Sequence, residues 1–567
     1  MNALLHILVF AVLMFSGMPK LYAYRADSTN VRAHRQIYRN QEQISLAIQE
    51  ALAQAAAGKE LQFGDELISA EEILPEFYRK RAYKPAWSDF STLLDAAQAL
   101  NHSWEDGLTP TDYHAPTIQA VAHDLQGMLG GDYIDYQAVA RFDILVTDAV
   151  LLYAYHLLEG KVNPESLDQK WNYSSRDLEE GVPAKLEQAI AAKDVAGSLA
   201  RLRPRLEIYQ AYRELLQHYA KEKDTVAWQT VGGTRWLEAG DQDSAVLQIR
   251  KRLQQTGQLS ADTQSLFYDD ALVADVVRFQ QANGLTPDGV VGPQTREALN
   301  QSADFLLGKI RVNMERVRWV VSNLSDCYIV VNIPAFKIYY VDGTKLRYTS
   351  RVQVGRPYTR TPVFKSRLEY VEFNPPWIVP RSIIRTSILP ELKKDPAYLS
   401  KNHFDLLDRA GKKLNPATID FSQASLASFP YVVRQRPGAW NALGLVKLTF
   451  PNKYSVFMHD TPSKKLFGES QRAFSHGCIR IQNPLALAAV LLEGTDYDRA
   501  RIDTILQSGQ TIRAYPAKQV DVMVLYWTIG YDETGKLIFY PDIYRRDEPV
   551  LRQLDAKSQP RFNEKAF

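Results

Sequence analysis

Between residues 41 and 220, apolar side chains recur every three or four positions, as in "QISLAIQEALAQAAAG", "STLLDAAQALNHSW", "ARFDILVTDAVLLYAYHLLEGKV" and "GSLARLRPRLEIYQAYRELLQHYA". That spacing lines one face of a helix. Breaks rich in Pro and Gly, such as "EDGLTPTDYHAP", separate the runs. Residues 41–230 are therefore predicted to form a helical scaffold domain without chemistry of its own. Residues 240–300 read as a compact three-helix unit. "SAVLQIRKRLQQTG" is closed by Gly257 and "DDALVADVVRFQQANG" by Gly284, and "LTPDGVVGPQTREALN" is a turn into a third helix with Pro293 near its start. From 326 to 545 the pattern changes to β-branched and aromatic runs: "CYIVVNIPAFKIYYV", "LRYTSRVQVG", "RLEYVEFNPPWIVP", "LVKLTFP" and "YSVFMHD". Between them, residues 381–430 form a polar insertion that leaves after "FNPPWIVP" and returns before "YVVRQRPGAWNALG"; it is predicted to be a jointed, partly helical lid. "LALAAVLLEG" is read as a short helix, and "VDVMVLYWTIGYDETGKLIFYPDIY" as a terminal hairpin turned at Glu533-Thr534-Gly535. The whole chain reads as multidomain α+β.

Length agrees with this division, because 567 residues exceed what one hydrophobic core holds. With 67 Lys and Arg against 65 Asp and Glu, the net charge of +2 lacks the basic surplus of a nucleic-acid binder. The N-terminus changes the picture more. "ALLHILVFAVLMFSGM" is apolar and uncharged, yet shorter than the ~20 residues a membrane-spanning helix needs. Residues 1–23 are read as a signal peptide cleaved after Ala23, with an uncleaved anchor as the alternative, although no Lys or Arg precedes the apolar run. No later segment is long and apolar enough to span. An exported protein in an oxidising space is expected. Its two cysteines, Cys327 and Cys478, make no disulfide framework.

The candidate chemistry lies in "MHDTPSKKLFGESQRAFSHGCIR". A thiol attacks only as thiolate, and an imidazole or a tight turn of backbone N–H groups activates it. Gly477 permits such a turn beside Cys478, and His459 ends the strand "YSVFMHD", so a Cys–His pair with oxyanion donors in the turn is one reading. Two others stay open: a zinc site using His459, His476 and Cys478, and a buried cysteine among satisfied core histidines.

Two resemblances narrow these. Val277, Phe279, Gln280, Gly284, Leu285, Asp288, Gly289, Gly292, Thr295 and Leu299 match the pattern of the three-helix peptidoglycan-binding module of cell-wall enzymes. His459, Ser475, His476, Gly477, Cys478 and Arg480 match the signature of the L,D-transpeptidases. "FNPPW", "PGAWNALG", "FYPDIYRRD", "RAYKPAW" and "EDGLTPTDYH" resemble the large Gram-negative members of that family. The resemblance implies a helical scaffold (41–230), a peptidoglycan-binding module (240–300) and a mostly-β catalytic domain (326–545) carrying the lid (381–430). It implies Cys478 as nucleophile and His459 as general base and later acid. Ser475 and His476 would shape the turn, backbone N–H groups around Gly477 and Cys478 would hold the oxyanion, and Arg480 would fix the loop or meet a substrate carboxylate. Asn374, Trp377, Trp440 and Asn441 are candidate groove residues. Tyr454 is a candidate oxyanion donor, since Phe457, two residues before the base, has no hydroxyl. The implied reaction is 3→3 cross-linking through a thioester on Cys478 with release of D-Ala from a stem tetrapeptide. L,D-carboxypeptidase, endopeptidase, lipoprotein attachment and a non-catalytic wall-binding scaffold are the alternatives. Neither metal nor cofactor is implied. The expected partners are peptidoglycan stem peptides and glycan strands, with other cell-wall synthases as further candidates and a membrane only through an uncleaved N-terminus. The expected place is the periplasm, and carbapenems are expected to acylate Cys478.

Overall fold

The computed structural model describes residues 28–557, except 126–128, 131–132, 174–180, 226–227, 260–263, 321–324, 396, 422–424, 426–428 and 533. Residues 1–23, expected to be a signal peptide, and the Glu533 position of the expected hairpin turn lie outside the described residues.

The scaffold is helical and is built around Tyr136–Glu159, whose N-cap Asp135 accepts from the amides of Gln137 and Ala138. From Val139 to Leu158 all but Arg141 and Tyr155 are buried, so the helix is apolar nearly all round. Its buried Asp143, Thr147 and His156 side chains are hydrogen-bonded. The Asp143 carboxylate accepts from the Tyr78 hydroxyl (2.8 Å) and the amides of Ala86 (2.9 Å) and Trp87 (3.1 Å), which explains why "RAYKPAW" is shaped as it is. The Tyr113 hydroxyl of "EDGLTPTDYH" meets His156 Nδ1 at 2.8 Å in the same helix.

The small unit has helices Ser244–Gln255, Asp270–Ala282 and Pro293–Leu299 around a core of its own. Gln280 is its hub: Nε2 donates to Asp288 Oδ1 (2.8 Å) and the Val290 carbonyl (2.9 Å) and lies 3.1 Å from Thr295 Oγ1, while Oε1 accepts from the Gly289 amide at 2.8 Å. The spaced Gln, Asp, Gly and Thr of the sequence pattern are thus one hydrogen-bond network that pins the turn between the last two helices.

The C-terminal domain is an 11-stranded sheet. Its order runs Ile512–Ala514, Tyr370–Phe373, Val446–Thr449, Met458–His459, Ile479–Ile481, Lys345–Gly355, Lys337–Asp342, Cys327–Asn332, Asp521–Leu525, Phe364–Arg367, with Ala473–Ser475 beside the end of Lys345–Gly355. Helices Pro484–Leu491 and Arg499–Ser508 follow the site strands, and the second was not predicted. Two further predictions are corrected. The run "VDVMVLYWTIGYDETGKLIFYPDIY" is no single hairpin. Its first half, Asp521–Leu525, is buried throughout and enters the main sheet parallel to Cys327–Asn332; only Ile529–Tyr531 and Leu537–Phe539 pair as a hairpin. A continuous apolar run suits a strand covered on both faces. The insertion is more than jointed helix, since strands Phe404–Leu407 and Lys413–Leu414 join Trp377–Ile378 and Val432–Gln435 in a four-stranded antiparallel sheet. Helices between 381 and 401 cover it, and Leu392, Leu399, Phe404, Leu406, Phe429 and Val433 belong to a separate core.

Candidate active site

Met458–His459 is only two residues long, yet it is central: it pairs antiparallel with Val446–Thr449, placing Lys447 opposite His459, and parallel with Ile479–Ile481, placing Arg480 opposite His459. The imidazole is buried. Its Nδ1 bonds to the Asp460 carbonyl. A carbonyl only accepts, so Nδ1 carries the proton and Nε2 is the basic nitrogen. Burial, then Arg480 and Lys447, push the His459 pKa down to about 3, against the opposing pull of the Asp460 bond. The ring is neutral at physiological pH.

The turn that carries Cys478 is held from both sides. Ser475 Oγ accepts from the Gly477 amide (3.1 Å) and donates to the Cys478 carbonyl (2.6 Å), closing the turn on itself. Gly477 has φ +116, and an added Cβ would find no atom nearer than 3.8 Å. Backbone conformation, not lack of space, requires glycine there. The segment 355–361 straps the turn. The Thr361 hydroxyl donates to the Gly477 carbonyl (2.9 Å) and accepts from the Gly355 amide (2.9 Å), and the Thr359 hydroxyl and Arg356 amide both donate to the Ser475 carbonyl at 3.0 Å. Tyr544 backs it, donating to the Gly355 carbonyl and accepting from the Thr361 amide.

Cys478 is half-buried, one residue before Ile479, whose amide donates to the Phe457 carbonyl at 3.1 Å. Burial raises its thiol pKa, while the Phe457 backbone amide, Arg480 and Lys447 act in the opposite sense. The Cys478 Sγ–H points to the Ser455 carbonyl at 4.0 Å. Arg480 donates to Gln353 Oε1 (3.2 Å), and no carboxylate is within ion-pair distance among the described residues; its buried Nε has no hydrogen-bond partner there. His476 is exposed, and partial burial with Arg356 and Arg480 lowers its pKa.

Asp460, next to His459, anchors the chain that returns from the insertion. Its Oδ2 accepts from the Leu445 amide at 3.0 Å, Lys464 pairs with Oδ1, and a Cβ at Gly444 (φ +61) would lie 2.3 Å from Oδ2.

Residues 326–503, which contain this turn, match the family model of the L,D-transpeptidase catalytic domain. The chain carries an L,D-transpeptidase catalytic domain. Ahead of it, residues 72–216 match a scaffold domain and 242–299 a peptidoglycan-binding domain. A Haemophilus influenzae protein named "Putative L,D-transpeptidase" is 27% identical over 489 residues, 86% of this chain and 81% of its own. A crystal structure of the Xylanimonas cellulosilytica L,D-transpeptidase (residues 123–326) is 14% identical, covering 52% of this chain and 99% of its own at a TM-score of 0.17. A Clostridium acetobutylicum protein described as a fused zinc-dependent amidase, peptidase and peptidoglycan-binding protein is 12% identical, covering 52% and 100% at 0.15. Scores this low carry no argument about the fold.

Within the L,D-transpeptidase domain the predicted site residues divide. His459, Ser475, Gly477, Cys478 and Arg480 are gathered on neighbouring strands and one turn. Asn374 is not a groove residue. It is buried at φ +47, and its amide donates to the Ile505 (2.8 Å) and Gln510 (3.1 Å) carbonyls. Asn441 is also buried, closing its own loop with the Arg436 carbonyl (3.0 Å) and Leu443 amide (2.8 Å). Trp377 packs into the insertion's core against Phe404, with ring centroids 6.3 Å apart. Trp440 remains 49% exposed, stacked on His403 of the insertion at 4.1 Å. Tyr454 is no oxyanion donor here, because its hydroxyl reaches the Lys170 carbonyl of the scaffold at 3.3 Å and Lys170 Nζ lies over its ring. Gly477's amide is committed to Ser475 Oγ, which removes it from the expected donors. Sequence reading missed Gln353, Thr361, Asp460 and Tyr544 as supports. All but Asp460 come from distant segments; Asp460, Gln353 and Tyr544 fell within quoted stretches, where spacing along the chain gave them no role.

Proposed function

We propose that this enzyme forms 3→3 cross-links in peptidoglycan by cysteine acyl transfer, with Cys478 as nucleophile and His459 as its base. The observation that carries the reading is the strapped glycine turn, which presents a half-buried Cys478 beside the strand of a neutral His459. Both pKa shifts disfavour charge, so the resting pair is thiol and imidazole rather than thiolate and imidazolium. The Sγ–H proton then passes to His459 as sulfur bonds to the carbonyl carbon of the third stem residue. The Cys478 amide is the candidate oxyanion donor. Collapse breaks the amide C–N bond, and His459 returns the proton to the departing D-Ala amine, leaving a thioester. An acceptor amine attacks this carbonyl, the C–S bond breaks, and the amine's proton restores the thiol. Arg480, held by Gln353 without a carboxylate partner, suits a stem carboxylate.

The scaffold and binding domains keep this chemistry on the polymer, and the proposed place is the periplasm, reached through residues 1–23. Purified enzyme incubated with disaccharide-tetrapeptides, with products separated by mass, tests the reading. Cross-linked dimer is expected. Monomer shortened by one residue would instead mark an L,D-carboxypeptidase, and unchanged substrate would refute catalysis.

A further inference from the structure

A cavity of about 240 Å³ lies where five segments meet: scaffold segment 164–171, helix Ala303–Val320, residues 360–363, the end of Asp521–Leu525 with the two residues after it, and the run 545–550. Four guanidinium groups line it: Arg316, Arg360, Arg545 and Arg546. Arg316 is neutralised by Asp547 at 2.6 Å. The other three have no carboxylate within ion-pair distance among the described residues. Arg546 is held over the rings of Tyr526 and Tyr544, at 5.3 and 5.7 Å from their centroids, and Arg360 donates Nε to the Pro357 carbonyl at 2.9 Å. Arg545 is exposed at the rim. The one carboxylate in the lining, Asp168, caps the Lys170 amide at 3.0 Å. Trp171, Trp319 and Trp527 supply flat apolar wall.

Arg546 is half-buried and Arg360 and Arg545 stand exposed at the mouth, so three guanidiniums without an ion-pair partner leave this space with an excess of positive charge that suits an anion. The planar guanidinium fork matches a carboxylate in bidentate fashion. The space falls just below the ~300–1,000 Å³ of drug-sized sites, which limits the body to one or two residues or a sugar ring. Asp168 disfavours a dianion. We propose that this cavity is a second binding site, separate from Cys478, for a small monocarboxylate with an apolar body, such as a peptide C-terminus. The proposal does not depend on which reaction Cys478 performs. Its position is pointed. Thr361, between the lining residues Arg360 and Val363, holds Gly477, and Tyr544, beside Arg545, holds Gly355.

Isothermal titration of the full chain with N-acetyl-D-alanyl-D-alanine, its C-terminal carboxamide and inorganic phosphate tests this, alongside Arg360→Gln, Arg545→Gln and Cys478→Ala. Saturable binding of the acid at millimolar concentration or tighter is expected, weakened tenfold or more by either arginine change, unaffected by Cys478→Ala, and absent for the carboxamide. Arg545 is exposed, so its variant keeps the fold. The proposal is overturned if acid and carboxamide bind alike, if phosphate binds and the acid does not, if the acid does not bind, if binding is kept in both arginine variants, or if it is lost in Cys478→Ala.

Discussion

Cys478 and His459 are separable by substitution because neither is a large part of the core. Cys478→Ala should abolish product while shifting thermal stability by no more than about 1 kcal/mol, and intact-mass spectrometry should lose the single carbapenem adduct expected on wild type. Retained turnover above a few per cent would remove Cys478 from its role. Gly477→Ala has room for its methyl but not the backbone angle, so about 1–3 kcal/mol of local strain is expected; the adduct should form far more slowly in a folded protein. The pH behaviour follows from burial. With His459 at about 3 and the thiol raised, carbapenem acylation should be flat between pH 5 and 8. A limb near 6.5 would mean an imidazole exposed to water. Stability should behave otherwise. His34, at about 4, His156 and His459 are all held below their ordinary value by burial. Below 6.5 the unfolded chain takes up protons that the folded chain refuses, so stability is complete above 6.5 and lost as pH falls toward 4, by up to about 1.4 kcal/mol per pH unit for each group. Thermal midpoints measured from pH 7 to 5 check the sign.

Among the elements, the insertion carries the clearest expectation. Its own core and four-stranded sheet make it a folded flap, and its return loop is fixed to Asp460, the residue after His459. A flap rooted there can exclude water from a thioester. Replacing 381–430 with a short Gly/Ser linker should keep acylation of Cys478 but lower the ratio of cross-linked dimer to hydrolysed monomer; an unchanged ratio would make the flap a buttress. Its helical stretches were legible from helix-forming residues broken by Pro390 and Pro396. The strands Phe404–Leu407 and Lys413–Leu414 were not, because a four-residue and a two-residue run are too short to show a period. Helix Ala303–Val320 was missed for another reason: it buries Lys309, Glu315, Arg316 and Arg318, so its charges hide the apolar pattern of a core helix.

That helix decides how the molecule holds together. Arg318 is fully buried, bonded to Glu315 Oε2, the Asp106 carbonyl (2.9 Å) and the Tyr209 hydroxyl (2.8 Å). Glu315 Oε1 accepts from the Val162 amide at 2.7 Å and from Trp319 Nε1 at 3.2 Å. The Glu315–Arg318 pair, formed within the helix, thus clamps it to the scaffold through hydrogen bonds to Asp106, Tyr209 and Val162. Glu315→Ala should cost about 3–5 kcal/mol by stranding the Arg318 charge, and limited proteolysis should open the chain near residues 160–164. Glu315→Ala as stable as wild type would show that the clamp carries no weight.

Local sequence determined the order of the three domains, the helices of the scaffold and binding module, and the chemistry-bearing turn, since each is written in spacing, caps and glycine positions close together along the chain. The tertiary structure alone decided which side chains surround that turn. Asn374 and Tyr454 donate to carbonyls brought near them by distant segments, while Asn441 closes its own loop. Thr361, Gln353 and Tyr544 support the site from strands and loops far along the chain, and the arginine-lined cavity forms only where five separate segments meet. A buried polar group must find a partner wherever the fold supplies one, and no spacing along the chain names that partner in advance.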